Sequence, residues 1–277
     1  MLSYRHAFHA GNHADVLKHL VLIEILRHLG KKDAPFDYLD THSGGGLFAL
    51  DAAETASLHE YKSGIDRIYG SDEPALAPYL ETVKAFNTGS ALSVYPGSPA
   101  IAAHWLRPQD RAWLCELHPA DHEALVGNMR GYRNVRVARE DGFAKLKALM
   151  PPASRRAAVL IDPSYEIKSD YDGVVDAIAG AYRKFPSGTY ALWYPVVERA
   201  RVERLERRVA DSGLRNVQRF ELSVARDNDG RGMTGSGMVV VNPPWTLWRI
   251  LEVLLPVLAR QIAGNSGHCR LDVWEDE

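Results

Sequence analysis

The sequence has few of the features that mark specialised classes of protein. Its 277 residues include only two cysteines, Cys115 and Cys269, and no Cys or His spacing of the kind that holds zinc. This argues against a disulfide framework and a zinc site, and it indicates a reducing compartment. No uninterrupted apolar run reaches the roughly 18 residues that a membrane-spanning helix needs. The N-terminus is too polar for a signal peptide. We expect a cytoplasmic protein with no membrane partner.

A net charge of either sign is also nearly absent. Lys and Arg number 33 and Asp and Glu number 35, a formal charge of -2 at pH 7. This balance ordinarily counts against a nucleic-acid partner. Basic residues are nevertheless concentrated locally, because residues 1–32 carry five Lys or Arg against two acids, and residues 199–219 carry seven arginines against three acids. We interpret the second segment as a solvated helix face with ion pairs, with an RNA-contacting surface as the alternative.

The pattern of apolar runs predicts the fold class. Short apolar runs that end in turn or acidic residues alternate with amphipathic stretches, which is typical of a doubly wound, mainly parallel α/β sheet of the Rossmann-like type. The predicted strands are residues 36–40, 112–117, 135–138, 157–162, 191–195, 217–224 and 238–242. We therefore expect seven strands in one domain that spans residues 1–277.

One connection in this pattern is too long. About 70 residues separate the ends of the first two strands, whereas a whole βαβ unit typically takes about 30. Residues 47–96 contain two helix-like stretches, 52–68 and 75–86, with a breaker between them, and we predict a small inserted helical subdomain there. The first helix of the sheet is then expected to begin near Ser98 as the N-cap, with Pro99 at its first position.

The fourth predicted strand ends in a motif that suggests chemistry. Asp162, Pro163, Ser164 and Tyr165 follow an apolar run, at the end of the strand where doubly wound sheets bind ligands. The tetrad is similar to the Asp-Pro-Pro-Tyr motif of methyltransferases that modify adenine N6 or cytosine N4. The Asp162 carboxylate and the Pro163 carbonyl could accept both hydrogens of a base amine, and Tyr165 could stack on a base extruded from its helix.

Two other interpretations of this tetrad stay open. It could be only a strand-ending turn, because Asp and Pro both favour turns, and Ser164 stands where the methyltransferase motif has a second proline. The run at residues 242–245, Asn-Pro-Pro-Trp, matches the motif more literally. It follows the last predicted strand, away from the central switch point of the sheet, so we favour Asp162.

The ends of the first three predicted strands suggest a nucleoside site. The glycine-rich turn at residues 43–46 permits close approach of a ligand, but it is neither a G-x-G-x-x-G nor a Walker motif. Glu116, after the second strand, could bind ribose hydroxyls, and Asp141, after the third, could hold an adenine amine. The alternatives are a flexible connection for the glycines and helix N-caps for the acids.

These motifs and several further stretches resemble one family along essentially the full length of the chain. The stretches are residues 1–19, 38–46, 95–99, 116–119, 141–142, 161–165, 190–196 and 230–237. They are similar to the bacterial 23S ribosomal RNA adenine-N6 methyltransferases of the J type. The resemblance implies a Rossmann-like class I methyltransferase fold with a small helical insertion, S-adenosylmethionine as cofactor, and an adenine of 23S ribosomal RNA as substrate.

The resemblance also implies roles for individual residues. The cofactor contacts would be His19, His42, Ser98, Glu116, Asp141 and Gly142. The catalytic proton acceptor would be Asp162, beside Pro163 and Tyr165, and the substrate contacts would be Tyr4, His6 and Lys18. Because an ordinary carboxylate is too weak a base to deprotonate a neutral amine, we interpret Asp162 chiefly as a hydrogen-bond acceptor.

Three alternatives to this assignment remain. The helical spacing of His6, His9 and His13 suggests a metal, but no carboxylate or Cys pattern accompanies these histidines, so no metal is predicted. A DNA adenine-N6 methyltransferase would use the same chemistry on another substrate. A non-catalytic RNA-binding module would require that activity was lost with the change to Ser164. We expect an active, monomeric enzyme.

Overall fold

The computed structural model describes residues 6–165, 170–227 and 232–274. The strands are β1 (Asp37–Asp40), β2 (Leu47–Ala49), β3 (Val94–Pro96), β4 (Arg111–Cys115), β5 (Val135–Ala138), β6 (Ala157–Ile161), β7 (Thr189–Val196), β8 (Val217–Ser223), β9 (Gly235–Val241) and β10 (His268–Trp274). The helices are α1 (His13–Gly30), α2 (Ala53–Leu58), α3 (Ile65–Ile68), α4 (Ala77–Lys84), α5 (Ser98–Trp105), α6 (Pro119–Asn128), α7 (Gly142–Leu149), α8 (Asp170–Lys184), α9 (Arg199–Ala210) and α10 (Leu247–Ala263).

The main sheet has the order β10-β8-β9-β7-β6-β1-β4-β5. Its five strands from β7 to β5 are parallel, and β9 lies antiparallel between β7 and β8. Helical connections return the chain to the start of each parallel strand, which places all the parallel strand ends at one edge. The predicted Rossmann-like α/β fold is confirmed.

The predicted number of seven strands was too low, because the described residues form eight strands in the main sheet and the separate pair of β2 and β3. The main sheet contains eight strands, because β10 pairs antiparallel with β8 from His268 to Trp274. Its side chains are exposed or half-buried, so it has no continuous apolar run that could reveal it in the sequence. Backbone pairing to β8 holds this edge strand, and Asp272 forms an ion pair with the buried Arg219 of β8.

Two hydrophobic cores lie on opposite faces of the sheet. Successive side chains along each strand point to opposite faces of the sheet and so belong to different cores. Leu160 packs with the helices α1, α5 and α10, while its neighbour Val159 packs with α8 and α9. α1 is buried over most of its length, from His13 to Leu26. Its N-cap is Asn12, whose side-chain oxygen accepts hydrogen bonds from two backbone amides of the first turn.

Residues 47–96 leave and rejoin the sheet through the antiparallel pair β2 and β3. The predicted helix over residues 52–68 is interrupted, because His59 adopts a left-handed backbone conformation with φ of 51° and a 3₁₀ turn follows it. Gly64 lies so close to the Gly11 carbonyl that a Cβ would collide with it. The Gly11 carbonyl accepts a hydrogen bond from the Ile65 amide, which ties the segment to the start of α1.

The predicted start of α5 needs a correction of one residue. The N-cap is Gly97, and Ser98 is the first helical residue. Ser98 does not cap the helix with its side chain, because its hydroxyl donates instead to Asp40 Oδ2 at the end of β1. Among the described residues, no helix combines the length and the apolar character that crossing a membrane requires.

Candidate active site

A cavity of about 330 Å³ lies at the edge where the parallel strands end. Of the predicted site residues that the structure describes, all except Tyr165 line this cavity. The lining residues among them are His6, Lys18, His19, His42, Ser98, Glu116, Asp141, Gly142, Asp162 and Pro163. Tyr4 lies outside the described residues. Because doubly wound sheets bind their ligands at this edge, the cavity is the candidate active site.

Lys18 connects the N-terminal helix to the end of β6. Its nitrogen Nζ donates to Asp162 Oδ2 at 2.6 Å and lies 2.8 Å from Asp15 Oδ1. The other Asp15 oxygen, Oδ2, accepts from the Gly11 backbone amide at 2.8 Å and lies 2.9 Å from His6 Nε2. Lys18 and Asp15 are almost fully buried, and a buried charge is stable only when it is paired. The arrangement therefore fixes the position of Asp162.

The charges of this cluster follow from its contacts. Burial alone would lower the pKa of Lys18, but the carboxylates of Asp15 and Asp162 raise it above its usual value. Burial alone would raise the pKa of Asp15, but His6 and Lys18 hold it well below its usual range. At neutral pH Lys18 is therefore an ammonium ion and Asp15 a carboxylate.

The geometry leaves part of the Asp-Pro motif available to a ligand. Lys18 occupies only Oδ2 of Asp162, and among the described residues no group donates to Oδ1. Asp162 and Pro163 both line the cavity, as does Ser164, which replaces the second proline of the motif. The motif therefore still lines the cavity although Ser164 replaces the proline.

Tyr165 is placed differently from its prediction. It is 8% exposed and does not line the cavity. Its hydroxyl donates to the Trp193 carbonyl at 2.6 Å, and its ring centroid lies 4.4 Å from that of Tyr171. The expected stacking position is therefore not adopted in this structure, because the ring packs among the aromatic side chains beneath the motif. Tyr165 has a φ of 55°, a left-handed conformation that is uncommon for a bulky residue.

The acidic strand ends lie in the other half of the cavity. Glu116 accepts the Gly44 amide on Oε2 at 2.8 Å and the His118 amide on Oε1 at 2.7 Å. Asp141 caps α7 by accepting the Phe143 and Ala144 amides on Oδ1. The N-cap alternative is thus realised for Asp141, but the residue lines the cavity at the same time. Burial raises the pKa of Glu116 above its usual value.

Two histidines, the buried His19 and the half-buried His42, line the cavity in the neutral form. Burial lowers the pKa of His42 to about 4 and that of His19 to about 3. Nδ1 of His19 lies 2.8 Å from the Tyr95 hydroxyl, whereas Nε2 is buried without a hydrogen-bond partner. Because buried polar atoms are normally hydrogen-bonded, this nitrogen indicates a ligand or a water in the cavity.

These residues fit an S-adenosylmethionine molecule. Glu116 supplies carboxylate oxygens suited to ribose hydroxyls, Asp141 supplies one suited to an adenine amine, and the unpartnered Nε2 of His19 can bond a polar group of the ligand. Gly142 lets α7 begin against the end of β1, because a Cβ there would collide with the Thr41 carbonyl oxygen. The exposed side chain of Leu117 adds an apolar contact for a flat base.

The alternative motif at residues 242–245 has a structural role. β9 is antiparallel to β7, with Val241 paired to Tyr190, so Asn242 lies at the opposite edge of the sheet from Asp162. The Asn242 side-chain nitrogen donates to the carbonyls of Pro186 and Gly188. This run therefore lies far from the cavity and ties together the loops at its own edge.

The three N-terminal histidines with helical spacing go to separate surroundings. His6 contacts Asp15, and His9 Nδ1 lies 3.0 Å from Glu60 Oε1. His13 is buried, and burial lowers its pKa to about 4. The described parts of the chain hold no group of three or more residues that could bind a metal ion.

Sequence reasoning missed two carboxylates that support the site. Asp15 holds His6 and Lys18, and its spacing of three residues from Lys18 on one helix was the available signal. Asp40, at the end of β1, accepts the hydroxyls of Tyr38 and Ser98 on Oδ2. Burial raises the pKa of Asp40 to about 6.

Comparisons with known proteins give a consistent picture. The family model described as ribosomal RNA large subunit methyltransferase D, RlmJ, matches residues 33–275. A protein of Haemophilus influenzae named ribosomal RNA large subunit methyltransferase J is 50% identical over 269 residues, covering 96% of each chain. The Escherichia coli K12 protein of the same name is 48% identical over 271 residues, covering 97% of each. A Legionella pneumophila crystal structure is similar with a TM-score of 0.89 and 39% identity, covering 96% of this chain and 98% of that one.

Proposed function

Because the chain belongs to this family of ribosomal RNA large subunit methyltransferases, we propose that it methylates N6 of an adenine in 23S ribosomal RNA. It is a class I, S-adenosylmethionine-dependent methyltransferase. One observation supports the choice of an amine as acceptor. The same cavity contains the Asp162-Pro163 pair, suited to an amine, and the acidic strand ends Glu116 and Asp141, suited to the adenosine part of the cofactor.

The chemistry of the base amine explains the residues at the end of β6. The lone pair of the exocyclic nitrogen is delocalised into the ring, so the amine is a weak nucleophile. Asp162 Oδ1 and the Pro163 carbonyl accept its two hydrogens and favour a tetrahedral nitrogen, whose lone pair then points at the incoming methyl group. S-adenosylmethionine, when bound, supplies that methyl group from a positively charged sulfonium.

The proton leaves after the nitrogen has gained the methyl group. The methylated amine carries a positive charge and is far more acidic than the neutral amine, so a carboxylate of ordinary basicity can accept its proton. Asp162 Oδ1 is placed for this transfer, while Lys18 holds Oδ2 and thereby the plane of the carboxylate. Asp15 keeps Lys18 charged and in place, and His6 contacts the other oxygen of Asp15. The roles of His6 and Lys18 are thus partly indirect, through Asp162.

The remaining expectations belong to the same proposal. We propose that the protein acts as a monomer in the cytoplasm, without a membrane partner, and that residues 47–96 form an insertion subdomain within a single domain. His19, His42, Ser98, Glu116, Asp141 and Gly142 would contact the cofactor, and Tyr4, His6 and Lys18 would contact the substrate. Tyr165 would need to leave its contact with Trp193 before it could stack on a base.

The test is a methylation assay on transcribed 23S ribosomal RNA and on duplex DNA, with isotopically labelled cofactor and mass spectrometry of the nucleosides. We expect N6-methyladenine in the RNA, little product in the DNA, and none from Asp162→Ala. Preference for DNA would move the assignment to a DNA methyltransferase. Calorimetry with S-adenosylhomocysteine addresses the non-catalytic alternative, which predicts no binding and no product.

A further inference from the structure

A row of arginines follows the edge of the main sheet. We call Arg130, Arg133, Arg136 and Arg139 the arginine edge. β5 is the outermost strand on this side. Arg136 lies on this strand, Arg133 and Arg139 lie before and after it, and Arg130 lies in the turn that follows α6. All four are exposed. The sequence from residue 124 to residue 139 contains no acidic residue, so the segment is locally cationic although the whole chain is nearly neutral.

These arginines form few hydrogen bonds with the rest of the protein. Arg136 donates to the Arg133 carbonyl at 3.1 Å, and Arg139 Nε donates weakly to the Leu117 carbonyl at 3.4 Å. Within the chain as the structure describes it, no member of the arginine edge forms an ion pair. The nearby Glu140 instead pairs with Lys145 at 2.8 Å. Most of the positive charge of this edge is therefore available to a partner.

Three of the five arginines of α9 behave differently, although α9 is the more conspicuous basic segment in the sequence. Arg201 pairs with Glu198 at 2.6 Å, and Arg208 pairs with Asp176 at 2.7 Å. Arg199 pairs with Asp227 and with the buried Glu221. These guanidinium groups are neutralised within the protein, so they have less to gain from an external anion than unpaired arginines.

The arginine edge begins beside the candidate active site. Arg139 follows β5 at the strand ends that form the cavity, and its partner Leu117 lines the cavity. Arg133 precedes β5 at the opposite end of the strand. The four residues of β5 lie between Arg133 and Arg139 and span about 13 Å at about 3.3 Å per residue. The row can therefore follow an extended anionic polymer that leads away from the cavity.

We propose that the arginine edge binds the phosphate backbone of the ribosomal RNA that flanks the target adenine. The identity of the polymer rests on the proposed function. Guanidinium groups suit phosphates because their planar array of donors matches the phosphate oxygens, and the release of counterions from the RNA drives the association. The contacts carry no sequence information, so they fix the orientation of the RNA, while the cavity selects the base.

The experiment compares matched variants by equilibrium binding to transcribed 23S ribosomal RNA, from about 50 to 200 mM KCl. Arg133→Gln/Arg136→Gln removes two charges from the arginine edge, and Arg133→Lys/Arg136→Lys keeps them. Arg201→Gln/Arg208→Gln removes two paired charges from α9. None of these four residues lines the cavity. Binding of S-adenosylhomocysteine is measured for each variant to establish that the site is intact.

The Arg133→Gln/Arg136→Gln variant should bind RNA about tenfold more weakly, with a slope of log Kd against log salt that is smaller by about 1.5. The lysine variant should keep most of the affinity and slope, and the α9 variant should resemble the wild type. An unchanged slope in the first variant, or an equal loss in the α9 variant, would overturn the proposal.

Binding and methylation are scored separately, so the two proposals can fail independently. Arginine-dependent RNA binding without N6-methyladenine would reject the proposed function and keep the arginine edge. Methylation by the wild type with unchanged Kd and slope in the Arg133→Gln/Arg136→Gln variant would reject the arginine edge alone. If the wild type does not bind this RNA, both proposals fail.

Discussion

The two halves of the cavity are built on different principles. In the acceptor half, Lys18 and Asp162 form a side-chain ion pair across 144 residues of sequence. In the cofactor half, Glu116 is held by backbone amides, one of them only two residues away, and His19 and His42 are neutral. The acceptor half thus depends on an ion pair that the docking of α1 creates, whereas the charged residue of the cofactor half, Glu116, is held by backbone amides. Substitutions in the acceptor half should consequently lower the rate of methyl transfer, and substitutions in the cofactor half should lower the affinity for the cofactor.

The largest effect is expected for Asp162→Asn. The substitution removes the negative charge that accepts the amine hydrogens and the proton, and it leaves Lys18 with Asp15 alone. Removal of one group that stabilises developing charge typically lowers kcat about 100- to 1000-fold. Single-turnover methyl transfer to RNA at saturating cofactor measures this loss. Affinity for S-adenosylhomocysteine should stay within about threefold of the wild type, and a large loss of affinity would contradict the division of the cavity.

The buried ion pairs of α1 give the second effect. Lys18→Met leaves the buried Asp15 and the half-buried Asp162 without their cation, and loss of one partner of a buried pair costs about 3–5 kcal/mol. Asp15→Asn removes the other charge. We expect each single variant to lower the free energy of unfolding and kcat, and the double variant to be more stable than the sum of the single effects predicts.

A double-mutant cycle by urea unfolding, with methyl transfer measured in parallel, tests this coupling. Asp15→Glu is the matched variant, because it keeps the charge and alters only its position. If the effects of Lys18→Met and Asp15→Asn are additive within about 0.5 kcal/mol, the buried cluster is not energetically coupled.

In the cofactor half, Glu116→Gln should weaken the binding of the cofactor. The glutamine keeps one acceptor oxygen but loses the charge that strengthens hydrogen bonds to ribose hydroxyls, and such bonds contribute about 1.5–3 kcal/mol. We expect Kd for S-adenosylmethionine to rise about tenfold or more, with kcat at saturating cofactor nearly unchanged. Calorimetry gives the first quantity and steady-state kinetics the second. A fall in kcat comparable to that of Asp162→Asn would remove the distinction between the halves.

The last effect concerns the pH dependence of stability and leaves the reaction itself aside. Asp40 has its pKa raised to about 6 in the folded protein, chiefly by burial. Its contribution to stability is therefore full below the pKa of the unfolded chain, near 3.9, and is lost as the pH rises through about 6. The change amounts to about 3 kcal/mol at most. Thermal unfolding of the wild type and of Asp40→Asn at pH 5, 6 and 7 should show their difference in Tm shifting in favour of the wild type toward low pH. A constant difference would exclude this titration.

The strand ends could be predicted because their signals are local. Asp162 follows an apolar run, and Glu116 and Asp141 end neighbouring strands. The spacing of apolar residues and the position of each acid in the chain are therefore enough to predict that these acids meet at one edge of the sheet. The glycines between β1 and the insertion mark the turn for the same reason. The position of Lys18 beside Asp162 had no such signal, because helices are placed by packing of apolar faces rather than by local pattern.

The misplaced elements also have identifiable physical causes. β10 was missed because an edge strand needs only backbone pairing and therefore carries no long apolar run. Ser98 is a plausible cap in the sequence, but a buried carboxylate on another strand, Asp40, competes for its hydroxyl. Tyr165 was expected at the cavity, whereas the Trp193 carbonyl and the Tyr171 ring hold it in the core.

The sequence by itself determined the class of fold, the edge of the sheet where the chemistry lies, and the family, because periodicity, strand-ending acids and local motifs are properties of short segments. The tertiary structure decided which charges are free and which are paired. The cluster of Asp15, Lys18 and Asp162 and the ion pairs of Arg199 and Arg208 in α9 depend on contacts between segments far apart in the chain, and the arginine edge forms no such pair in the described residues. A near-zero net charge therefore says little about an RNA partner, since the pairing of charges depends on the fold.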